Sequence, residues 1–356
     1  MVQNTHIVHF DESARQPVDC FPDRAATQAS THTYPRRTSL PMTHSLHSIA
    51  LRYFVEVANT GSIAEASVRL HVASSAISRQ IAKLEYEVHA PLFDRQSRGM
   101  TLSSAGEVLL GYARRSLLEA EQIVHDIDSA RNSLASIVKL ACSEGFATDF
   151  MPSLIHLFRQ INPRVQFELA VTGPGDATQL VRTGDADLAL TFSLTVQTGV
   201  NIIHACRAPV FAMMRSDHPL ARRRQLSLAE IAGHELLLSE PGTTIRTLID
   251  VAAGAEGIAL TPVFVTNNSQ ALYRYAQLSG AITFSGALSV RGKLQNDGLV
   301  AVPLAGKVQQ RRIEVQTMMG RTLPVAVREF ADFLVAELKR VPGMAREART
   351  SRQARD

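Results

Sequence analysis

Residues 61–98 read GSIAEASVRLHVASSAISRQIAKLEYEVHAPLFDRQSR: two short helical periods, a tight turn and a small hairpin. Ser62 is an N-cap candidate with Glu65 three residues on, so a helix is expected from Ile63. Its buried positions would be Ile63, Ala66 and Leu70, spaced i, i+3, i+7, with Glu65 and Arg69 one turn apart on the wet face. His71, Val72 and Ala73 make the turn.

The helix after the turn carries Ile77, Ile81, Leu84 and Val88 on one stripe, and Ser75, Ser78, Arg79 and Ala82 on the other. Small polar side chains with one arginine let a helix lie close to DNA and donate to phosphates or base edges. Two amphipathic core helices would show the same periodicity, and it is the order of the parts that separates the readings. A preceding helix over Ser45 to Asn59 buries Leu51, Phe54, Val55 and Ala58, and Asn59-Thr60-Gly61 stops it. Pro91-Leu92-Phe93 then anchors a strand, and Gln96-Ser97-Arg98-Gly99 turns into Met100-Thr101-Leu102, with Arg95 and Arg98 on the wing. The pattern is that of a winged helix-turn-helix.

The segment from about Leu46 to Gly106 resembles the DNA-binding domain of LysR-type transcriptional regulators. The resemblance is carried by Phe54, Gly61-Ser62, Ala66, Leu70, Ser75-Ala76-Ile77-Ser78-Arg79-Gln80-Ile81, Leu84-Glu85, Leu92-Phe93, Arg95 and Ala105-Gly106. The chain departs from the family pattern at Ser67, usually alanine; Ala73, usually a serine cap; Ser74, usually glutamine; His89, usually glycine; and Ser103, usually threonine. Alanine cannot cap, so Ser74 is expected to take over and shift the helix start by one residue. Ser74 also replaces a long amide suited to reading a base. His89 predicts a strained corner before the wing.

A chain of 356 residues with 45% hydrophobic content is ample for several cores. No apolar run approaches the ~20 residues that span a bilayer, and MVQNTHIVHFDESARQ is not a secretory signal pattern. Cys20, Cys142 and Cys206 are scattered, which suits the cytoplasm. The net charge of +4 says little about nucleic acid, because Lys339 to Asp356 alone holds six basic and two acidic residues. Thr43 to Gly106 is nearly balanced, with six basic and five acidic, so the DNA reading rests on motif geometry. Residues 1–42 lack periodicity and are expected to be a disordered extension, with Met42 as the expected true start. Their His6, His9, Asp11, Cys20 and His32 fit no metal-ligand spacing, and no metal or cofactor is expected.

The expected organisation is α+β and multidomain: a winged helix-turn-helix at 43–103, a long linker helix at 104–134, an α/β two-subdomain domain of periplasmic-binding-protein type at 136–340, and a disordered basic tail at 341–356. Between Ser104 and Leu134 the residues Leu109, Ala113, Ser116, Ala120, Ile123, Ile127, Ala130 and Leu134 follow alternating spacings of four and three, a coiled-coil seam that a second copy would fill. A helix packed within one chain is the other reading. Strands are expected at Ile137 to Cys142, Val165 to Val171, Asp187 to Phe192, Pro209 to Met214, Glu235 to Leu238, Leu260 to Val265, Ala281 to Phe284 and Arg312 to Met318. Helices are expected near Pro152, up to Thr183, after Thr243-Thr244, after Asn267-Asn268-Ser269, and over Val325 to Lys339. This part resembles the family's effector domain through Met151-Pro152, Phe158, Pro163, Gly184, Asp187-Leu188-Ala189-Leu190, His218-Pro219-Leu220 and Leu299 to Pro303.

A cleft between two such subdomains suits a small ligand, and helix N-termini facing it favour anions, carboxylates above all. Candidate lining residues are Ser143, Thr172, Gly173, Ser193, Thr243, Thr244 and Asn267, each equally an N-cap candidate. For DNA the candidates are Ser74, Ser75, Ser78, Arg79, Lys83, Arg95 and Arg98. The resemblance implies a sequence-specific transcriptional regulator, not an enzyme, acting as a homodimer or homotetramer on double-stranded promoter DNA. A small-molecule effector and RNA polymerase would be its further partners. The alternative is a solute-sensing α/β protein without specific DNA regulation. An enzymatic reading through Cys142, Glu144 and His156 lacks an oxyanion site, and Gly173-Pro174-Gly175 has no third glycine at Thr178 for a dinucleotide. A redox switch through Cys142 and Cys206 has no visible activating neighbour.

Overall fold

The computed structural model describes residues 48–96, 99–132, 135–195, 197–286, 288, 298–305 and 311–341. Residues 1–47, Ser97, Arg98, Leu134 and the tail past Val341 lie outside the described residues, with the candidate metal residues and Cys20.

Three helices open the chain: α1 (Ile49–Thr60), α2 (Ile63–Leu70) and α3 (Ser74–Val88). Gly61 ends α1 in the left-handed region at φ 66°, the conformation that a C-terminal glycine supplies at least cost. Ser62 caps α2 as its sequence promised, accepting from the Glu65 N–H at 3.4 Å. The Glu65 carboxylate turns to Arg69 instead of closing a reciprocal box. Phe54, Val57, Ala66, Ile77, Ile81 and Leu84 form one buried cluster with Leu92 and Phe93. Ile63 and Leu70 are half-buried against it, and Val88 is 42% exposed, off the expected stripe.

The wing is the antiparallel pair β1 (Phe93–Gln96) and β2 (Gly99–Leu102). It is pinned to the helices at two points: the Met100 N–H donates to the Gly61 carbonyl at 2.8 Å, and the Leu92 N–H donates to Glu85 Oε1 at 2.8 Å. Helix α4 (Ser104–Asn132) follows, capped by Ser103, whose hydroxyl accepts from the Gly106 N–H at 3.0 Å and donates to the Pro91 carbonyl at 2.6 Å. Serine therefore does here what threonine would. A Cβ on Gly106 would collide with the Leu92 carbonyl, so only glycine allows α4 this close to the wing.

The rest of the chain is two α/β subdomains. The first has a five-stranded sheet in the order β4-β3-β5-β12-β6, made of β3 (Ile137–Cys142), β4 (Gln166–Val171), β5 (Leu188–Ser193), β6 (Val200–Ala208) and β12 (Arg311–Met318). Helices α5 (Glu144–Ala147), α6 (Phe150–Ile161), α7 (Pro174–Thr183) and α11 (Val325–Lys339) belong to it. Pairs β3–β4 and β3–β5 are parallel, and β12 runs antiparallel to both β5 and β6. Strand β5 is buried along its whole length, as a strand covered on both faces must be.

The second subdomain contains β7 (Val210–Arg215), β10 (Thr283–Gly286) and β11 (Leu299–Pro303) in one antiparallel sheet, and β8 (Leu236–Ser239) parallel to β9 (Pro262–Thr266). Its helices are α8 (Leu228–Ala232), α9 (Thr244–Ala255) and α10 (Ser269–Ser279). The chain passes from the first to the second along β6 into β7 and returns through β11 into β12. Strands β6 and β11 and helices α5 and α8 escaped the periodicity reading. In β6, VNIIHACRA, apolar and polar residues do not alternate cleanly.

Candidate functional site

The face that α3 turns outward holds Ser75, Ser78, Arg79 and Lys83, all exposed. Arg79 Nε donates to the Ser75 carbonyl one turn back at 3.3 Å, and Lys83 Nζ lies 3.8 Å from Glu87, so both cations lie along the helix surface. Arg95 stands in β1 opposite Met100; Arg98 lies outside the described residues.

Ser74 does not cap α3. The N-cap is Ala73, in extended backbone with no side-chain bond, and Ser74 is the first helical residue. Its hydroxyl donates instead to Ser67 Oγ at 3.0 Å, and the Ser67 hydroxyl donates to the Ala64 carbonyl at 2.8 Å. Two departures from the family pattern thus meet across the turn and join α2 to α3. His89 is left-handed as expected, at φ 53°, and His71 is so too, at φ 56°.

Within the seam of α4, Ala113 is buried in the winged core and Ala120 is buried further along. Leu118, between the seam positions, packs on Gly184, where a Cβ would strike it. Ile123 and Ile127 are about half exposed, at 53% and 51%. The helix thus serves its own chain in its first half and leaves an apolar face open beyond.

The residues expected to line a cleft scatter. Ser143 is buried at the end of β3, sharing a hydrogen bond with Thr191 at 3.0 Å. Thr172 donates to Asp176 at 3.3 Å, and exposed Gly173 is the N-cap position of α7. Ser193 is buried and donates to the Thr195 carbonyl. Thr243 caps α9, accepting from the Arg246 N–H at 3.3 Å. Asn267 is exposed, and its neighbour Asn268 caps α10, accepting from Ala271 N–H at 2.9 Å. Thr244 meets the other subdomain: Arg311 Nη1 donates to its hydroxyl at 3.3 Å.

The sequence reading missed Arg311 and the clasp made by Glu144. Glu144 Oε1 accepts from Ser269 N–H at 2.8 Å and Ser269 Oγ at 3.0 Å, tying α5 of one subdomain to the start of α10 in the other. Gln270 adds a bond to Thr148 at 3.1 Å. Arg311 is 3% exposed, with its guanidinium carbon 3.5 Å from the centre of the Phe192 ring. Burial pulls its pKa down to about 9, which leaves it charged at neutral pH. A pair of consecutive arginines opening the alternating strand pattern Ile313-Glu314-Val315 was the available signal.

Cys142, Glu144 and His156 do not form a reactive group. Cys142 is buried, and burial pushes its thiol up to about 12; Glu144 is held by Ser269, and His156 is exposed on α6 beside Gln160. Among the described residues no cluster of His, Cys, Asp or Glu could hold a metal, and no helix is long and apolar enough to cross a membrane.

The chain matches the sequence pattern described as "Bacterial regulatory helix-turn-helix protein, lysR family" over residues 49–107 and that of "LysR substrate binding domain" over residues 131–339. It is 30% identical over 256 residues to the HTH-type transcriptional activator IlvY of Salmonella typhimurium, covering 62% of this chain and 83% of that protein. A full-length OxyR variant from Pseudomonas aeruginosa has a similar fold, with TM-score 0.56 and 20% identity across 81% of this chain and 95% of its own. The regulatory domain of CcmR from Synechocystis, solved with 2-PG, matches with TM-score 0.51 and 18% identity, over 58% of this chain and 98% of its own.

Proposed function

The chain belongs to the LysR family of transcriptional regulators, and from that premise we propose how its DNA-binding and effector-binding halves work. Helix α3 enters the major groove, with Arg79 reading a base edge and Ser75, Ser78 and Lys83 bonding the phosphate backbone. Arg95 and Arg98 support it from the wing. Ser74, bonded to Ser67, holds the turn rigid beside that contact. The observation that carries this reading is the outward face of α3, small and polar around a single arginine, while the opposite face closes a core.

Two copies pair through the open apolar face of α4, as homodimer or homotetramer, and so present two reader helices to two half-sites. The effector is a small carboxylate-bearing molecule held in the cleft between the subdomains, bordered by Ser143, Thr172, Gly173, Ser193, Thr243 and Thr244. Asn267 lies at its rim. The effector acts by binding one arrangement of the paired readers better than another. The protein works in the cytoplasm on promoter DNA, alongside RNA polymerase and without catalysis of its own. DNase footprinting on the DNA upstream of its own reading frame tests the assembly: protected half-sites separated by whole helical turns are expected, and a single short protected site would refute the paired reading.

A further inference from the structure

Two adjacent arginines open β12 and point to opposite faces of the sheet. Arg312 has its charge answered, with Nε 3.6 Å from Glu314 Oε1. Arg311 does not. Among the described residues its Nη1 donates to the neutral hydroxyl of Thr244, its Nε has no hydrogen-bond partner, and no carboxylate pairs with it. Phe192 lies beneath the guanidinium, and Phe146 stacks on Phe192 at 4.3 Å, so the cation closes a short aromatic column. Gly286 leaves it room, since a Cβ there would collide with Arg311 Nη2.

The surroundings make the missing charge more telling. Thr244 is the first residue of α9, whose N-terminus carries partial positive charge. A buried cation against that end has the wrong sign. The start of α10 in the same subdomain shows the contrary case, because it receives the Glu144 carboxylate from the other subdomain. One helix start has its anion built in and the other faces a second positive charge.

We infer that Arg311, together with the first turn of α9, is the receptor for the anionic head of the effector, a carboxylate or a phosphate. This rests on the reading of the chain as an effector-controlled regulator and names the residue on which control turns. An anion seated there bonds the β12 guanidinium of one subdomain and the α9 N–H groups of the other, so it strengthens the contact between them.

Thermal unfolding of the full chain tests this, with wild type, Arg311→Met and Arg311→Lys compared in chloride, inorganic phosphate and succinate at equal ionic strength. In chloride Arg311→Met melts at or above wild type, because no charge is left buried without a counter-ion. Phosphate or succinate raises the wild-type Tm by several degrees, Arg311→Lys by less and Arg311→Met not at all. A rise with phosphate alone assigns a phosphate head, and with succinate alone a carboxylate. Arg311→Met melting well below wild type in chloride, or rising with the anions as wild type does, or no rise in wild type, would overturn the inference. Binding of the same samples to upstream and scrambled DNA separates this from the regulator reading: retained preference for upstream DNA leaves that reading standing while the anion site falls.

Discussion

The reader face of α3 and the cleft around Arg311 answer to different parts of the chain. On α3 the exposed residues Ser75, Ser78 and Arg79 and the buried residues Ile77, Ile81 and Leu84 come from one stretch of fifteen residues. At the cleft, Arg311 and Thr244 meet across 67 positions of chain, and Glu144 and Ser269 across 125. The first is built by local periodicity, the second by the return of distant strands and helices. Changes at the reader should therefore act on DNA or on its small core, and changes at the cleft on the effector domain alone.

The largest effect expected from breaking this separation is at the winged core. Phe54 is fully buried and packs against Phe93 with ring centres 5.3 Å apart. Phe54→Ala should cost about 3–5 kcal/mol, seen by calorimetry as a lowered transition for the winged domain while that of the effector domain stays put. A joint loss of both would show that the two are one cooperative unit. Next comes Arg79→Ala, whose side chain donates to the Ser75 carbonyl of its own helix. It should weaken operator binding by about 1–3 kcal/mol, measured by fluorescence anisotropy, with Tm unchanged; unaltered affinity would remove Arg79 from base reading.

Glu144→Gln sharpens the cleft side. The amide oxygen still accepts from Ser269, but the charge facing the start of α10 is gone, so a loss of about 1 kcal/mol is expected in urea unfolding of the effector domain. DNA affinity in effector-free buffer should stay as it was. The smallest effect belongs to the corner before the wing. A non-glycine residue in the left-handed region costs about 1–2 kcal/mol, and glycine returns roughly half of that through its looser unfolded chain. His89→Gly should therefore stabilise the winged domain by about 0.5 kcal/mol, and a destabilised variant would show that the His89 ring, near Tyr86 at 6.2 Å, contributes packing that the backbone argument omits.

The same contrast explains what the sequence disclosed. The cap at Ser62, the stop at Gly61, the left-handed His89 and the strand–helix order of the effector domain are local, and each was legible from neighbours within a turn or two. The failure at Ser74 is instructive because its physics was local too: alanine indeed cannot cap, yet the helix begins at Ser74 with no cap, because the Ser74 hydroxyl finds Ser67 across the turn. That partner belongs to another helix. Ser143, Thr243 and Thr244 were legible as polar residues at element ends, and α9 was foreseen. No pattern along the chain could say that Arg311 would face Thr244 with, among the described residues, no carboxylate pairing with it, since that depends on how β12 returns between the subdomains. The apolar seam of α4 was read as one surface, but the fold divides it between Ala113 inside and Ile127 outside.

Whether this chain reads sequence is decided by fluorescence anisotropy of the full chain, titrated onto its own upstream DNA and onto a scrambled fragment at two salt concentrations. Tight binding to the upstream fragment and much weaker binding to the scramble are expected, with the preference surviving at higher salt while both affinities fall. Equal binding to both fragments, lost together as salt rises, would reduce α3 to a charged grip and contradict the claim that this chain reads sequence.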